Sequence, residues 1–273
     1  MAQLFTRIKM KINFQKPTLT GRSRLILRVV YVVLAVIALQ YTVFSVAAVR
    51  KRMNAINSQI DVKLLTTRAV KEDTAYIRLY KEKDWLETRL QIARTDSISL
   101  SVDLLDSAFQ IELKGVVLKK SKILDFDADR FLCRLHPAAY HHVLGKQAMA
   151  DTVISSIVKQ PLIIKKAPKD TADVEDGTVM IDTSRVEAVH WVLKLDNQIV
   201  LKIEGVDPDP RGWWTGQKFW FFQNLGQAAG DLSRTMLFKT PEYCPVIRLV
   251  VPEADARAFY RALPFKPLVC IRL

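Results

Sequence analysis

Cysteine, glycine and early acidic charge are what this 273-residue sequence has least of. Three cysteines are too few for a disulfide framework, and none falls in a C-x-x-C or zinc-ligand spacing. Nine glycines and eleven prolines exclude a collagen-like or low-complexity chain, and 49% hydrophobic residues exclude a disordered one. No glycine-rich phosphate loop, Ser-His-Asp order or paired-carboxylate motif is present, and no cofactor or metal is expected. Acidic residues are missing altogether from residues 1–28, which carry seven basic ones. Residues 29–49 carry no charge, and residues 50–95 carry eleven basic and six acidic residues. Residues 97–273 hold 23 basic and 21 acidic residues, so almost all of the net +13 flanks one apolar segment. A nucleic-acid binder usually puts a basic face on its folded domain, and this composition has none.

What is there begins with that segment. Val29 to Val49, VVYVVLAVIALQYTVFSVAAV, is 21 residues without a charge, and Gln40 is its only strongly polar side chain. As a helix it reaches about 31 Å, the thickness of a bilayer's hydrocarbon core. A cleaved signal peptide is the competing reading, with Ser45-Val46-Ala47 as cleavage site. The 28-residue basic region and the length of the run favour an uncleaved signal anchor. The expected layout is a basic cytoplasmic tail (1–28), a transmembrane helix (29–49) and a C-terminal domain outside. In a bacterium this is a single-pass inner (cytoplasmic) membrane protein with its domain in the periplasm.

Residues 50–95 contain no Gly and no Pro, which predicts a long helical stalk. Met53, Ile56, Ile60, Leu64, Val70, Ile77, Leu86, Leu90 and Ala93 trace a broken apolar stripe, interrupted by Thr67 and Thr74. The stripe fits a coiled coil that makes a homo-oligomer, a single helix holding the domain off the membrane, or a helix packed locally on the domain.

From Ser97 the period changes from helical to two. Residues 98–104, 109–114 and 116–119 read as successive strands, with a turn at Asp106-Ser107 and a break at Gly115. Further strands are expected at 161–166, 179–182, 191–195, 199–204, 218–222, 246–251 and 268–273. One helix, 253–263, follows Pro252 and ends before Pro264. The expected fold is a mainly β (α+β) domain over 97–273 with one short C-terminal helix.

Two stretches of that domain resemble the L,D-transpeptidase catalytic domain. SISLSVDLLDSAFQIELKGVVLKKSKIL (97–124) is similar to its opening strands. Ile247-Arg248-Leu249, the helix from Pro252 to Pro264 and Pro267-Leu-Val-Cys-Ile271 are similar to its ending. There an S-x-G-C-[IV]-R motif precedes a short helix and a closing strand. Lys159-Gln-Pro-Leu-Ile-Ile-Lys165 faintly echoes the family's T-P-x-G-x-[FY]-x-I strand. The resemblance implies a domain that handles peptidoglycan stem peptides, whose active members use a cysteine thioester.

The chemistry departs from that pattern. Aligning Ile247 and Arg248 with the motif's last pair puts Val246 at the nucleophile position and Tyr243-Cys244-Pro245 in place of S-x-G. Valine cannot attack a carbonyl, and no histidine follows His190, so the family's His-Gly is missing. Cys244, two residues before Val246, is the alternative nucleophile, with a base from His136, His141, His142 or His190. The simpler reading of Cys244 is a small, partly buried side chain, and Cys133 and Cys270 read as core. Arg248 is expected to brace the site wall.

The remaining motifs are weaker. HPAAYHH lacks the i, i+4 spacing of helix-borne zinc ligands. Asp125-Phe-Asp-Ala-Asp129 lacks the glycine of a calcium loop and reads as an acidic helix start. Phe219 to Phe222 reads as a strand buried on both faces, leaving Trp213 and Trp214 as candidate cleft lining.

Together these features predict a membrane-anchored envelope protein with a non-catalytic L,D-transpeptidase-like domain that binds peptidoglycan or an envelope partner. The alternatives are an active peptidoglycan transpeptidase or hydrolase using Cys244, and a structural subunit of an envelope assembly.

Overall fold

The computed structural model describes residues 21–59, 74–159, 188–206 and 213–273. The expected strands at 161–166 and 179–182, the 159–165 echo beyond Lys159 and the middle of the expected stalk lie outside these residues. The protein is a mixed α/β fold with a large sheet and an N-terminal apolar helix.

Helix α1 runs from Gly21 to Gln59. Its stretch Leu25–Ser58 has a mean hydropathy of 2.3 and is long and apolar enough to cross a membrane. Every residue from Leu25 to Val36 is exposed. From Ile37 onward a stripe at helical spacing (Ile37, Gln40, Phe44, Ala48, Arg52, Ile56) is half-buried or buried. Ile56 belongs to the domain's core, with Val49 and Met53 packed beside it. Arg52 Nη2 donates to the Asn197 carbonyl at 2.8 Å.

Helix α2, Thr74–Ala93, lies against the sheet. Trp85 and Ile92 are buried with Cys270, and Thr88 beside them donates to the Asp84 carbonyl at 2.8 Å. Arg89 pairs with the buried Glu112 at 2.9 Å, and its guanidinium sits 4.5 Å from the Trp85 ring. Leu86 and Leu90 of the expected seam are 48% and 60% exposed. Of the readings of the stalk, the helix packed locally on the domain describes residues 74–93. Ile56 at one end and Trp85 and Ile92 at the other are committed to the domain because its sheet offers apolar surface and buried carboxylates.

Nine strands follow among the described residues: β1 (Ile98–Asp103), β2 (Ala108–Leu113), β3 (Val116–Lys122), β4 (Asp125–Ala128), β5 (Ala148–Ser155), β6 (His190–Leu195), β7 (Val200–Val206), β8 (Val246–Pro252) and β9 (Leu268–Arg272). Their order is β3-β2-β1-β9-β5-β6-β7-β8-β4. Among the described strands only β1–β9 and β7–β8 are parallel pairs. The two edge strands, β3 and β4, are separated by Ile123 and Leu124 alone. The Ile123 amide donates to the Ser107 carbonyl at 2.8 Å, and the Leu124 amide to the Val250 carbonyl of β8 at 2.8 Å. One extended segment thus ties the opposite ends of the sheet, which must curl back on itself.

The curl encloses a core of alternating side chains: Leu100, Val102, Trp191, Leu193, Ile203 and Ile247. Helix α6, Glu253–Ala262, joins β8 to β9 and supplies Phe259, stacked on Phe109 with centroids 4.6 Å apart. Its approach to β7 is close. A Cβ on Gly205 would stand 2.8 Å from the Val189 carbonyl and 3.1 Å from Ala256 Cβ, so only glycine fits there. Lys119 and Ser121 of β3 clasp Asp255 of α6 at 2.7 and 2.6 Å, which lowers its carboxyl pKa.

Three further helices correct the expectation of one. Helix α3, Arg130–Cys133, is a single turn capped by Asp129, which accepts from the Phe131 amide at 3.0 Å. Phe131 and Leu132 turn inward and leave Cys133 exposed, against the expected core position. Cys270 is core, its thiol pushed up to about 12 by burial. Helix α4, Pro137–Leu144, carries His141, whose Nδ1 lies 3.0 Å from Asp84 of α2. Helix α5, Trp213–Met236, replaces the strand expected at 218–222. A four-residue apolar run has no readable period, whereas the longer stripe Phe219, Trp220, Gln223, Gln227, Asp231 and Thr235 is helical and faces the domain.

The docking of α2 separates two substitutions. Ile92→Ala should lower unfolding stability by about 2–5 kcal/mol. Leu90→Ala, on the exposed stripe, should stay within about 0.5 kcal/mol of the parent. Chemical denaturation of the full chain in detergent measures both, and the reverse ranking would restore the stalk seam predicted from sequence.

Candidate functional site beneath helix α5

The second face of β6, β7 and β8 carries polar residues where the first carries core. In register, His190 sits opposite Glu204, Val192 opposite Lys202, and Lys202 beside Arg248. Because side chains alternate, His190, Lys194, Lys202, Glu204, Val246 and Arg248 share one face. Arg248 Nε donates to Glu204 at 3.0 Å, a charge-assisted bond between β8 and β7. The expected bracing role of Arg248 thus has a definite partner.

Helix α5 lies over this face. Lys202 Nζ donates to Asn224 Oδ1 at 3.0 Å and stands 5.5 Å from the Trp220 ring. The His190 ring lies 5.9 Å from that of Phe219 and 5.6 Å from that of Trp220. Its backbone amide is held by Ser156 Oγ at 2.9 Å, while its buried Nδ1 has no hydrogen-bond partner among the described residues.

Burial lowers the His190 pKa, Arg248 lowers it further and Glu204 opposes both. Burial, then Arg248, also lowers that of Lys202. The face is a half-covered recess with three cations, one carboxylate, an imidazole and two aromatic rings.

The motif remnants divide. Ile247 is fully buried in the core and Val246 is half-buried at the start of β8. Cys244 is half-buried, and burial pushes its thiol pKa up. Glu242 and Asp231 add to that rise, and Arg52 and Lys194 oppose it without reversing it. The sulfur thus belongs to the seam between α1 and α5, whereas Arg248 belongs to the recess. Tyr243 turns the other way and donates to Asp129. Trp213 and Trp214 start α5, and their side chains lie outside the described residues. Among the described residues no three histidine, cysteine, aspartate or glutamate side chains converge as a metal site.

Period-two patterning placed each strand's alternate residues on one face. It could not put Lys202, Glu204 and Arg248 together, because strand order is set by pairings distant in sequence. Asn224 and Trp220 were hidden by the misread of α5. Comparison with family models, curated proteins and solved structures finds no match to this chain.

His190 provides a pH test. A folded-state pKa below the unfolded value means that the unfolded chain binds the proton more readily. Stability is then full above the ordinary histidine pKa, about 6.5, and falls as pH drops through it. Thermal melts of the full chain between pH 7.5 and 5.5 should show this fall. His190→Gln should flatten it and Glu204→Gln should steepen it, while an unchanged slope in both variants would contradict the assignment.

Proposed function

We propose that this chain is a single-pass, membrane-anchored envelope protein whose domain is a non-catalytic binding module. One observation carries the reading: burial, then Glu242 and Asp231, push up the thiol pKa of Cys244, the cysteine beside the motif position. A nucleophilic cysteine needs the opposite, a positive or basic setting that populates the thiolate. The arginine that would serve such a site is committed to Glu204. The resemblance to L,D-transpeptidases adds a class of partner, peptidoglycan or a protein of the bacterial envelope. The recess beneath α5 is the binding surface of choice, since its cations, amide and aromatic rings suit a sugar–peptide ligand bearing carboxylates. Apolar helix α1, flanked by basic residues, supports the anchor in a bacterial inner membrane with the domain on the periplasmic side.

Intact-mass analysis of the full chain incubated with a carbapenem tests the loss of catalysis. The expected spectrum is that of the unmodified protein. A stoichiometric adduct on Cys244 would instead make it an active cysteine enzyme.

A further inference from the structure

Helix α5 has two opposite faces, and the recess uses only one. Trp220, Asp231 and Thr235 turn toward the domain. On the far side Phe221, Phe222, Leu225, Leu232 and Met236 form a stripe at helical spacing, all exposed, with Phe222 at 66%. The chain leaves the helix through Phe238, which is 78% exposed and held at a positive φ of 54°. An apolar stripe of this length rarely faces water.

The position of α5 against α1 says what covers it. Gln40 Nε2 donates to the Thr235 carbonyl at 2.8 Å, in the last turn of α5. Gln40 is the one strongly polar side chain within Val29–Val49, and it lies nine residues before Val49. At helical rise that places the contact about 14 Å inside the C-terminal end of the apolar run. A polar side chain in hydrocarbon needs a protein partner, and α5 supplies it. At the same level Leu39 and Val43 of α1 are 66% and 59% exposed. Whatever medium covers them also meets Met236 and Phe238. At this end of α5 the charge of Arg234 is paired with Glu242 at 3.5 Å.

We infer that α5 is a second membrane-contacting helix, whose C-terminal turn meets α1 within the apolar run. Its outer stripe seats in the acyl-chain region of the bilayer spanned by α1, so the domain lies on the membrane surface, held by two elements. The inference rests on the proposed anchor role of α1. It adds a second lipid contact that fixes which way the domain faces and places the recess under α5 next to the bilayer.

The full chain, reconstituted in phosphatidylethanolamine–phosphatidylglycerol vesicles containing a phospholipid with an acyl-chain diazirine, tests this by photolabelling and peptide mass mapping. Lipid adducts are expected both in residues 25–47 and in residues 221–238. Leu225→Glu with Leu232→Glu, both at exposed positions, should abolish the second set and leave the first. Labelling of α1 alone overturns the inference and leaves the anchor standing. Labelling of neither overturns both. Chain-to-chain cross-links from Phe222 or Leu225 carrying a photoreactive side chain would assign the stripe to a second copy and likewise overturn it.

Discussion

The insertion of Ile56 into the domain's core is the constraint on which the other features depend. It makes the last turns of α1 a structural part of the β-rich domain. From it follow the Arg52 bond to the β6–β7 turn, the half-buried stripe back to Ile37 and the Gln40 bond to α5. An apolar helix continuous with a core element transmits its tilt to the whole domain. The apolar run and the folded unit are therefore one object.

The sheet makes that arrangement workable by presenting two chemically distinct faces. Its inner face is filled by aliphatic and aromatic side chains around Trp191 and Phe259. Its outer face is divided between two helices. Over β1, β2 and β9, α2 meets buried charge with charge, through its Arg89 on Glu112 of β2 and its Glu82 on Arg272 of β9, which is itself paired with Asp103 of β1. Removing one partner of such a pair leaves a buried charge unpaired, so these bonds position the helix strictly. Over β6, β7 and β8, α5 closes less completely and leaves the recess around His190 and Arg248.

Much of the β architecture was legible because half-buried strands alternate. Residues 98–103, 190–195, 246–252 and 268–272 all follow stretches read as strands, and α6 followed from Pro252 and Pro264. Other elements carry no such signal. Strand β4 is four exposed or half-exposed residues paired only with β8, and its acidic sequence pointed to a helix start, which Asp129 does provide one residue later. Helix α5 was hidden by Phe219 to Phe222, whose aromatic run suits a buried strand as well as a helix. The docked face of α2 was missed because Trp85, Thr88 and Arg89 hold it through ring and charge contacts, whereas the leucines at heptad positions face outward. The site was legible one strand at a time. Arg248 and Val246 could be singled out, but Glu204 and Lys202 joined them only through a parallel pairing across more than forty residues.

A single core substitution tests the central claim that the apolar helix α1 and the domain fold as one unit. Ile56→Ala removes a side chain that is 2% exposed and lies 42 residues before the first strand. Denaturation of the full chain, read on the β-sheet signal, should show the domain destabilised by about 2–5 kcal/mol, as for any buried isoleucine. An unfolding midpoint unchanged from the parent would mean that α1 ends free of the domain and that the anchor is only a tether.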